Sequence, residues 1–441
     1  MVARLKAALA TPIDGASLAV FRILFGALMV VAGARFFTHG WIASDYRAAK
    51  VFMPYWGLGF IRPWPGDGMY IHYAVWIAAA VCITLGLFYR AATIVFALSF
   101  TWAHLCDRAN YLNHYYLVSL VALILVFLPL DRQLSLRVRL RPNDRRSQLR
   151  TWMLYLLRFQ FGLVWLFGGI AKIGGDWIWR AEPLRIWLAA DADLPILRHI
   201  VRWHALPYLF SWGGLAFDLS AAALLSWPRT RKVAFAVAVV FHALTAELFP
   251  IGMFPWIMLA GATLFFAPTW PRRWLGAARD SAVAGAALGS VGLAALTVYA
   301  LVQLVVPLRH FAYPGNTLWT EEGFRFSWRV MLIEKTGQCE FTVVDAQNRH
   351  TLVEPRDYLT YVQARMTCTQ PDMILALAHI IADDFARRGR GPVRVFADAQ
   401  VAWNGRPHAP MIDPQVDLAH EADGLSPKRW ILPAPTTAPR F

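Results

Sequence analysis

The chain has 441 residues, 57% of them hydrophobic, with 20 tryptophans and a mean hydropathy of +0.41, which excludes an ordinary soluble domain for most of its length. The formal net charge of +15 sits in short loops between apolar runs. Positive-inside topology accounts for that placement and nucleic-acid binding does not, so a lipid bilayer is the expected partner and nucleic acid is not.

The first ten residues carry basic side chains but no cleavage signature, and read as a retained cytoplasmic start. Apolar runs of bilayer length then recur. A first span at 17–36 contains Arg22, which needs a partner inside a helix bundle. Residues 38–68, rich in Pro, Gly and aromatics, read as a re-entrant or surface loop. A second span covers 69–88, a third ends near Leu105, and a fourth opens within CDRANYLNHYYL and ends at Pro129. The fifth, 157–172, ends in Lys172 and is followed by Ile173-Gly174-Gly175-Asp176-Trp177. An amphipathic, interrupted stretch at 177–207 is expected along the membrane surface. Spans at 208–227, 233–249, up to 266, and 284–306 bring the expected total to about nine.

With the N-terminus cytoplasmic, basic links at Arg90, 132–150, 229–232 and 272–279 fall on one side. An odd number of spans places residues 309–441 on the other, periplasmic or exterior in a bacterium. That part reads as α+β, with strands at 328–333, 340–344 and 393–403 and helices at 357–365 and 371–388. Asp345-Ala346-Gln347-Asn348 is a turn and Asn404-Gly405 a hairpin turn. The expected fold is a multi-pass α-helical membrane bundle (1–308), a smaller α+β extramembrane domain (309–433) and a disordered tail (434–441). Cys339 and Cys368 could bond if that domain faces an oxidising compartment. No cysteine pair has metal-ligand spacing, His104 with Cys106 lacks a third ligand, and no metal is expected.

An ammonium at the end of an apolar helix must snorkel, pair with a carboxylate, or give up its proton. For Lys172 the first two outcomes are structural, with Asp176 one helical turn on, and the third is chemical. The threading puts His114, Lys172, Glu247 and, a turn deeper, His242 at one outer depth on separate helices. Each has an ordinary structural explanation: His114 as a helix cap, His242 as a core histidine, Glu247 as an interfacial carboxylate. Asp218 most simply pairs with Arg22 or Lys172. Their convergence is what points to a site. Lys172, His114 and His242 are its candidate catalytic groups, and Asn113, Asp176, Asp218 and Glu247 the candidate lining of a substrate or quinone pocket.

FGGIAKIGGDW, FDLSAA, FHALTAELFPIGMFPWIML and MIDPQVDL resemble the vitamin K-dependent gamma-glutamyl carboxylase family, while LAVFRILFG and YLNHYYL look like the related horizontally transferred transmembrane domain of bacterial proteins. The resemblance runs in matching order from about Ser17 to Pro433 and is of the bacterial type. It implies a membrane carboxylase of the carbon–carbon lyase class that oxygenates a reduced vitamin K or menaquinol-like hydroquinone to its epoxide, with O2 and CO2 as co-substrates. That oxygenation is coupled to carboxylation of glutamate in a peptide. By the same resemblance Lys172 matches the base that deprotonates the quinol, His114 a histidine that stabilises the reaction, and His242 a further active-site histidine. Two rivals stand beside it: a quinol epoxidase without carboxylation, and a non-catalytic scaffold or transporter.

Overall fold

The computed structural model describes residues 2–190, 203–278 and 282–439. In chain order α1 (Val2–Ala10) leads to α2 (Ala16–Thr38), α3 (Gly68–Leu85), α4 (Tyr89–Leu105), α5 (Asn113–Phe127), the short α6 (Leu136–Leu140) and α7 (Thr151–Ala171). After α7 come α8 (Gly175–Arg180) and α9 (Leu184–Ala190). Beyond residues 191–202 follow α10 (Leu206–Ser226), α11 (Arg231–Leu248), α12 (Phe254–Ala262), α13 (Arg272–Leu275) and α14 (Ser290–Leu308). Part of the stretch expected along the membrane surface, 191–202, therefore lies outside the described residues.

Among the described residues five helical segments, not nine, are long and apolar enough to cross a membrane: Ala16–Thr38, Gly68–Leu85, Thr151–Ala171, Leu206–Ser226 and Ser290–Ala312. Helices occupy the other four expected places but fall short for identifiable reasons. α4, α5 and α12 have 17, 15 and 9 residues. α11 has 18, but opens on Arg231-Lys232 and carries His242 and Glu247. α5 and α12 contribute buried apolar residues to the core of the bundle, where packing by neighbours replaces length.

Small residues set the closest helix contacts. At Gly26 an added Cβ would lie 2.7 Å from the Thr84 backbone nitrogen, and at Gly169 one would lie 2.9 Å from that of Leu219, so only glycine lets α2 approach α3, and α7 approach α10. Arg22 is fully buried, and its guanidinium donates to the carbonyls of Ile83 (2.6 Å), Thr84 (2.8 Å) and Leu134 (2.6 Å) rather than to Asp218. Several basic loops meet at one end of the bundle. There β1 (Pro12–Asp14) pairs antiparallel with β2 (Gln148–Arg150), and Arg272 binds Asp14 at 2.8 Å and Gln133 at 2.6 Å.

At the other end, residues 309–334 form a strap containing the short α15 (Thr317–Thr320). The expected strand at 328–333 is absent. Phe326, Trp328 and Met331 have positive φ, and the backbone finds its partners in side chains of the bundle: Tyr111 Oη bonds the Phe326 N–H at 2.6 Å and Asn113 Nδ2 the Arg329 carbonyl at 3.1 Å. Aromatic packing explains the preference, since Trp328 is fully buried in the bundle core and stacks on Tyr116 at 4.8 Å.

The sheet has the order β4-β3-β5-β6, all antiparallel, with β3 (Lys335–Val344), β4 (His350–Val353), β5 (Arg394–Trp403) and β6 (Ala409–Pro410). Phe341 opposite Ala397 and Val343 opposite Val395 bury one face beneath α16 (Tyr361–Thr367) and α17 (Pro371–Arg387). Asn404 and Gly405, both at positive φ, turn β5 into β6 in a hairpin that pairs Val401 with Ala409. Cys339 and Cys368 form a disulfide between β3 and the end of α16. Of the tail expected to be disordered, Ala434 packs on this core, and residues 440–441 lie outside the described residues.

The two parts are joined by charge. Arg108 bridges Asp372 (3.1 Å) and Asp423 (2.7 Å), and Arg325 also binds Asp372 at 2.6 Å. Burial would raise the Asp372 carboxyl, but the two guanidinium groups bring it down to about 2.

Candidate active site

Lys172 caps α7, because Gly174 in extended conformation stops the helix and starts α8. Its side chain does not snorkel: it is 7% exposed. Nζ donates to Asp218 Oδ2 at 2.8 Å and to the Gly168 carbonyl at 3.2 Å, and lies 5.2 Å from the centre of the Trp177 ring. Trp177 is itself fixed, since its Nε1 donates to the Ser211 carbonyl at 2.8 Å. Of the two expected carboxylate partners, Asp218 holds Lys172 and Asp176 does not.

Lys172 and Asp218 open onto a small chamber of about 70 Å³ that they share with His242. The His242 ring is 2% exposed, and neither of its nitrogens has a hydrogen-bond partner among the described residues. Phe217, Phe241 and Phe254 meet it edge-on, so its surroundings are aromatic on several sides. A histidine kept only for packing would normally bond a carbonyl.

A second cavity, of about 700 Å³, adjoins the first. His114 lines it from the first turn of α5, beside Asn113. Apolar and aromatic groups such as Phe36, Trp76 and Phe100 make up most of its wall, with Arg35 and Asp45 among the few charges. The loop after α11 closes it: Pro250 follows extended Phe249, Gly252 takes a φ of +60°, and Pro255 starts α12. That turn brings Gly252 against the imidazole, where an added Cβ would sit 3.8 Å from His114 Nε2. Ile251, Phe254, Val330 and Met331 line both cavities and form the partition between them. The Phe254 ring centre is 6.3 Å from both the His114 and the His242 ring.

Residues 10–270 match the HTTM domain family, and residues 289–437 match the family described as vitamin K-dependent gamma-carboxylase, lumenal domain. The chain belongs to the vitamin K-dependent gamma-carboxylase family. It is a carboxylase-like membrane protein in which the HTTM match covers α2 to α12 and the lumenal-type match covers α14, the strap and the sheet. No solved structure matches the chain.

Of the candidates from sequence, the structure gathers Lys172, Asp218 and His242 around one chamber and Asn113 with His114 beside the next. Two lie elsewhere. Glu247 is exposed and lines neither cavity, because five residues on a helix turn it away from the His242 face. Asp176 binds Arg406 at 2.7 Å, Arg180 at 2.9 Å and Asn404 at 3.3 Å, tying α8 to the outer hairpin. Burial would raise its carboxyl, but these partners, Arg406 foremost, hold it below the ordinary carboxylate value. The partition residues and Trp177 were missed as site residues. Apolar and aromatic side chains carry no chemical signature, and the positive-φ turn at Gly252 was the available signal.

Proposed function

We propose that this family member couples oxygenation of a reduced quinone to deprotonation and carboxylation of a peptide glutamate, with Lys172 as the base. The observation that carries the reading is the Lys172–Asp218 contact at 2.8 Å at the wall of an apolar chamber. Passage of a proton from Nζ to Asp218 Oδ2 would leave a neutral amine beside a neutral acid, a state that exclusion of water favours. The amine could then accept a hydroxyl proton. His242, whose nitrogens have no hydrogen-bond partner among the described residues, would bond substrate in the same chamber, and His114 would do so in the larger one.

A ring substrate fits the larger cavity on its residues: about 700 Å³ lies within the roughly 300–1,000 Å³ of small-molecule sites, with an aromatic wall and a few polar groups. The reduced quinone, when bound with O2, supplies through its conversion to the epoxide the driving force for removing a γ-hydrogen. Asn113 and His114 would orient its hydroxyls, and Phe254 and Met331 would have to yield for the Lys172 amine to reach it. The disulfide Cys339–Cys368 and the lumenal description of the second matched family support a non-cytoplasmic outer domain, with the N-terminus cytoplasmic.

The test uses protein in nanodiscs with reduced vitamin K, O2, labelled bicarbonate and a glutamate peptide, beside Lys172→Ala. Epoxide and fixed label are expected together, both falling about 10²–10⁴-fold in the variant. Epoxide without label would assign a quinol epoxidase. Neither product from folded protein would leave a non-catalytic scaffold.

A further inference from the structure

Where α14 leaves the bundle, Arg309, His310 and Arg329 come together with no carboxylate within ion-pair distance among the described residues. The neighbouring acids are committed elsewhere, Glu321 to Lys335 at 2.8 Å and Asp372 to Arg325 and Arg108. Arg309 has an ordinary role: its guanidinium closes the helix end by donating to the Val306 carbonyl at 2.8 Å, to Ser327 Oγ at 3.1 Å and to the Arg325 carbonyl. His310 Nδ1 bonds the Pro307 carbonyl at 2.9 Å.

Arg329 has no such role. Its side chain makes no hydrogen bond or ion pair among the described residues, and its Nε is buried without a partner. Burial and the Arg309 guanidinium push it down to about 10, which still leaves a cation at neutral pH. A half-buried guanidinium facing other cations lacks only an anion. Next to Arg309 in the chain, the end of α14 is exposed and apolar, with Val305 61% and Leu308 42% accessible, as is Phe311 just past the helix at 78%. Charge beside apolar surface matches a phosphate ester carrying acyl chains.

We infer that Arg329, with Arg309 and His310, binds the phosphate of a membrane phospholipid whose chains lie along the outer end of α14. Occupancy would also brace the strap, because the Arg329 carbonyl is held by Asn113 and the next two residues, Val330 and Met331, line both cavities.

The test is native mass spectrometry of the delipidated full chain titrated with phosphatidylglycerol, with diacylglycerol of the same chains, and with inorganic phosphate. Phosphatidylglycerol is expected to bind and diacylglycerol to fail. Arg329→Gln should weaken lipid binding about tenfold or more, Arg329→Lys less, and Arg273→Gln at the opposite end not at all. Equal binding of diacylglycerol, or an undiminished Arg329→Gln, would overturn the site. Inorganic phosphate binding as tightly as the lipid, or displacement of the lipid by a glutamate peptide, would overturn the lipid assignment. If Arg329→Gln does not fold, the wild-type lipid comparison and Arg329→Lys still decide.

Discussion

Removing one member of the Lys172–Asp218 pair leaves its partner charged and buried, which typically costs about 3–5 kcal/mol. Asp218→Asn should therefore lower the thermal midpoint and, by withdrawing the proton acceptor, also depress epoxide formation. Both are read on the same nanodisc sample. His242 makes the opposite prediction. Since its ring nitrogens bond nothing among the described residues and its neighbours are aromatic, His242→Phe should hold or raise the thermal midpoint while turnover falls about tenfold or more. A histidine serving the core would lose stability and keep turnover. Sequence could nominate these residues because charge inside an apolar run is conspicuous. It could not choose between Asp176 and Asp218, as both lie within reach on paper and only the cross-helix packing brings Asp218 Oδ2 to Nζ.

Elements are positioned as much by what is missing as by what is present. At Gly168 an added Cβ would meet Asp218 Oδ2 at 3.6 Å, an ordinary contact, whereas at Gly169 it would collide with Leu219 at 2.8 Å. Gly168→Ala should be tolerated, and Gly169→Ala should lower the thermal midpoint and the activity together by parting α7 from α10. Between α8 and α9, Glu182 is buried with neither carboxylate oxygen hydrogen-bonded among the described residues and Arg185 Nε 3.9 Å from one of them, and burial pushes it up to about 7. A raised carboxyl favours folding while protonated, so its contribution is present below about pH 4.5 and fades as pH rises to about 7, by at most about 1.4 kcal/mol per unit. The melting midpoint should fall over that range, and the fall should be smaller in Glu182→Gln. Helix positions were legible from apolar runs across the bundle, and β3, β5, α17 and the Asn404-Gly405 turn from periodicity and turn chemistry. The strap was not legible. Its apolar alternation reads as a strand, yet its partners, Tyr111, Asn113 and Tyr116, are more than two hundred residues away.

For the molecule as a whole, Arg108 ties the bundle to Asp372 and Asp423 of the outer domain, Arg325 of the strap shares Asp372, and Asp176 with Arg406 makes a second link. The depressed Asp372 carboxyl gives stability that is complete above about pH 4 and is lost as pH falls through about 2. Limited proteolysis should release the outer domain across that interval, and in Arg108→Gln should begin at higher pH. The partition between the cavities has a longer reach. Ile251 and Phe254 come from the HTTM part, while Val330 and Met331 belong to the strap of the lumenal-type part. One wall of the lysine chamber is thus inherited from each half of the gene. The halves cannot drift apart independently: a chimera given a relative's outer domain would receive a different chamber inside the membrane, and substrate preference would travel with a segment that sequence order assigns to the outside.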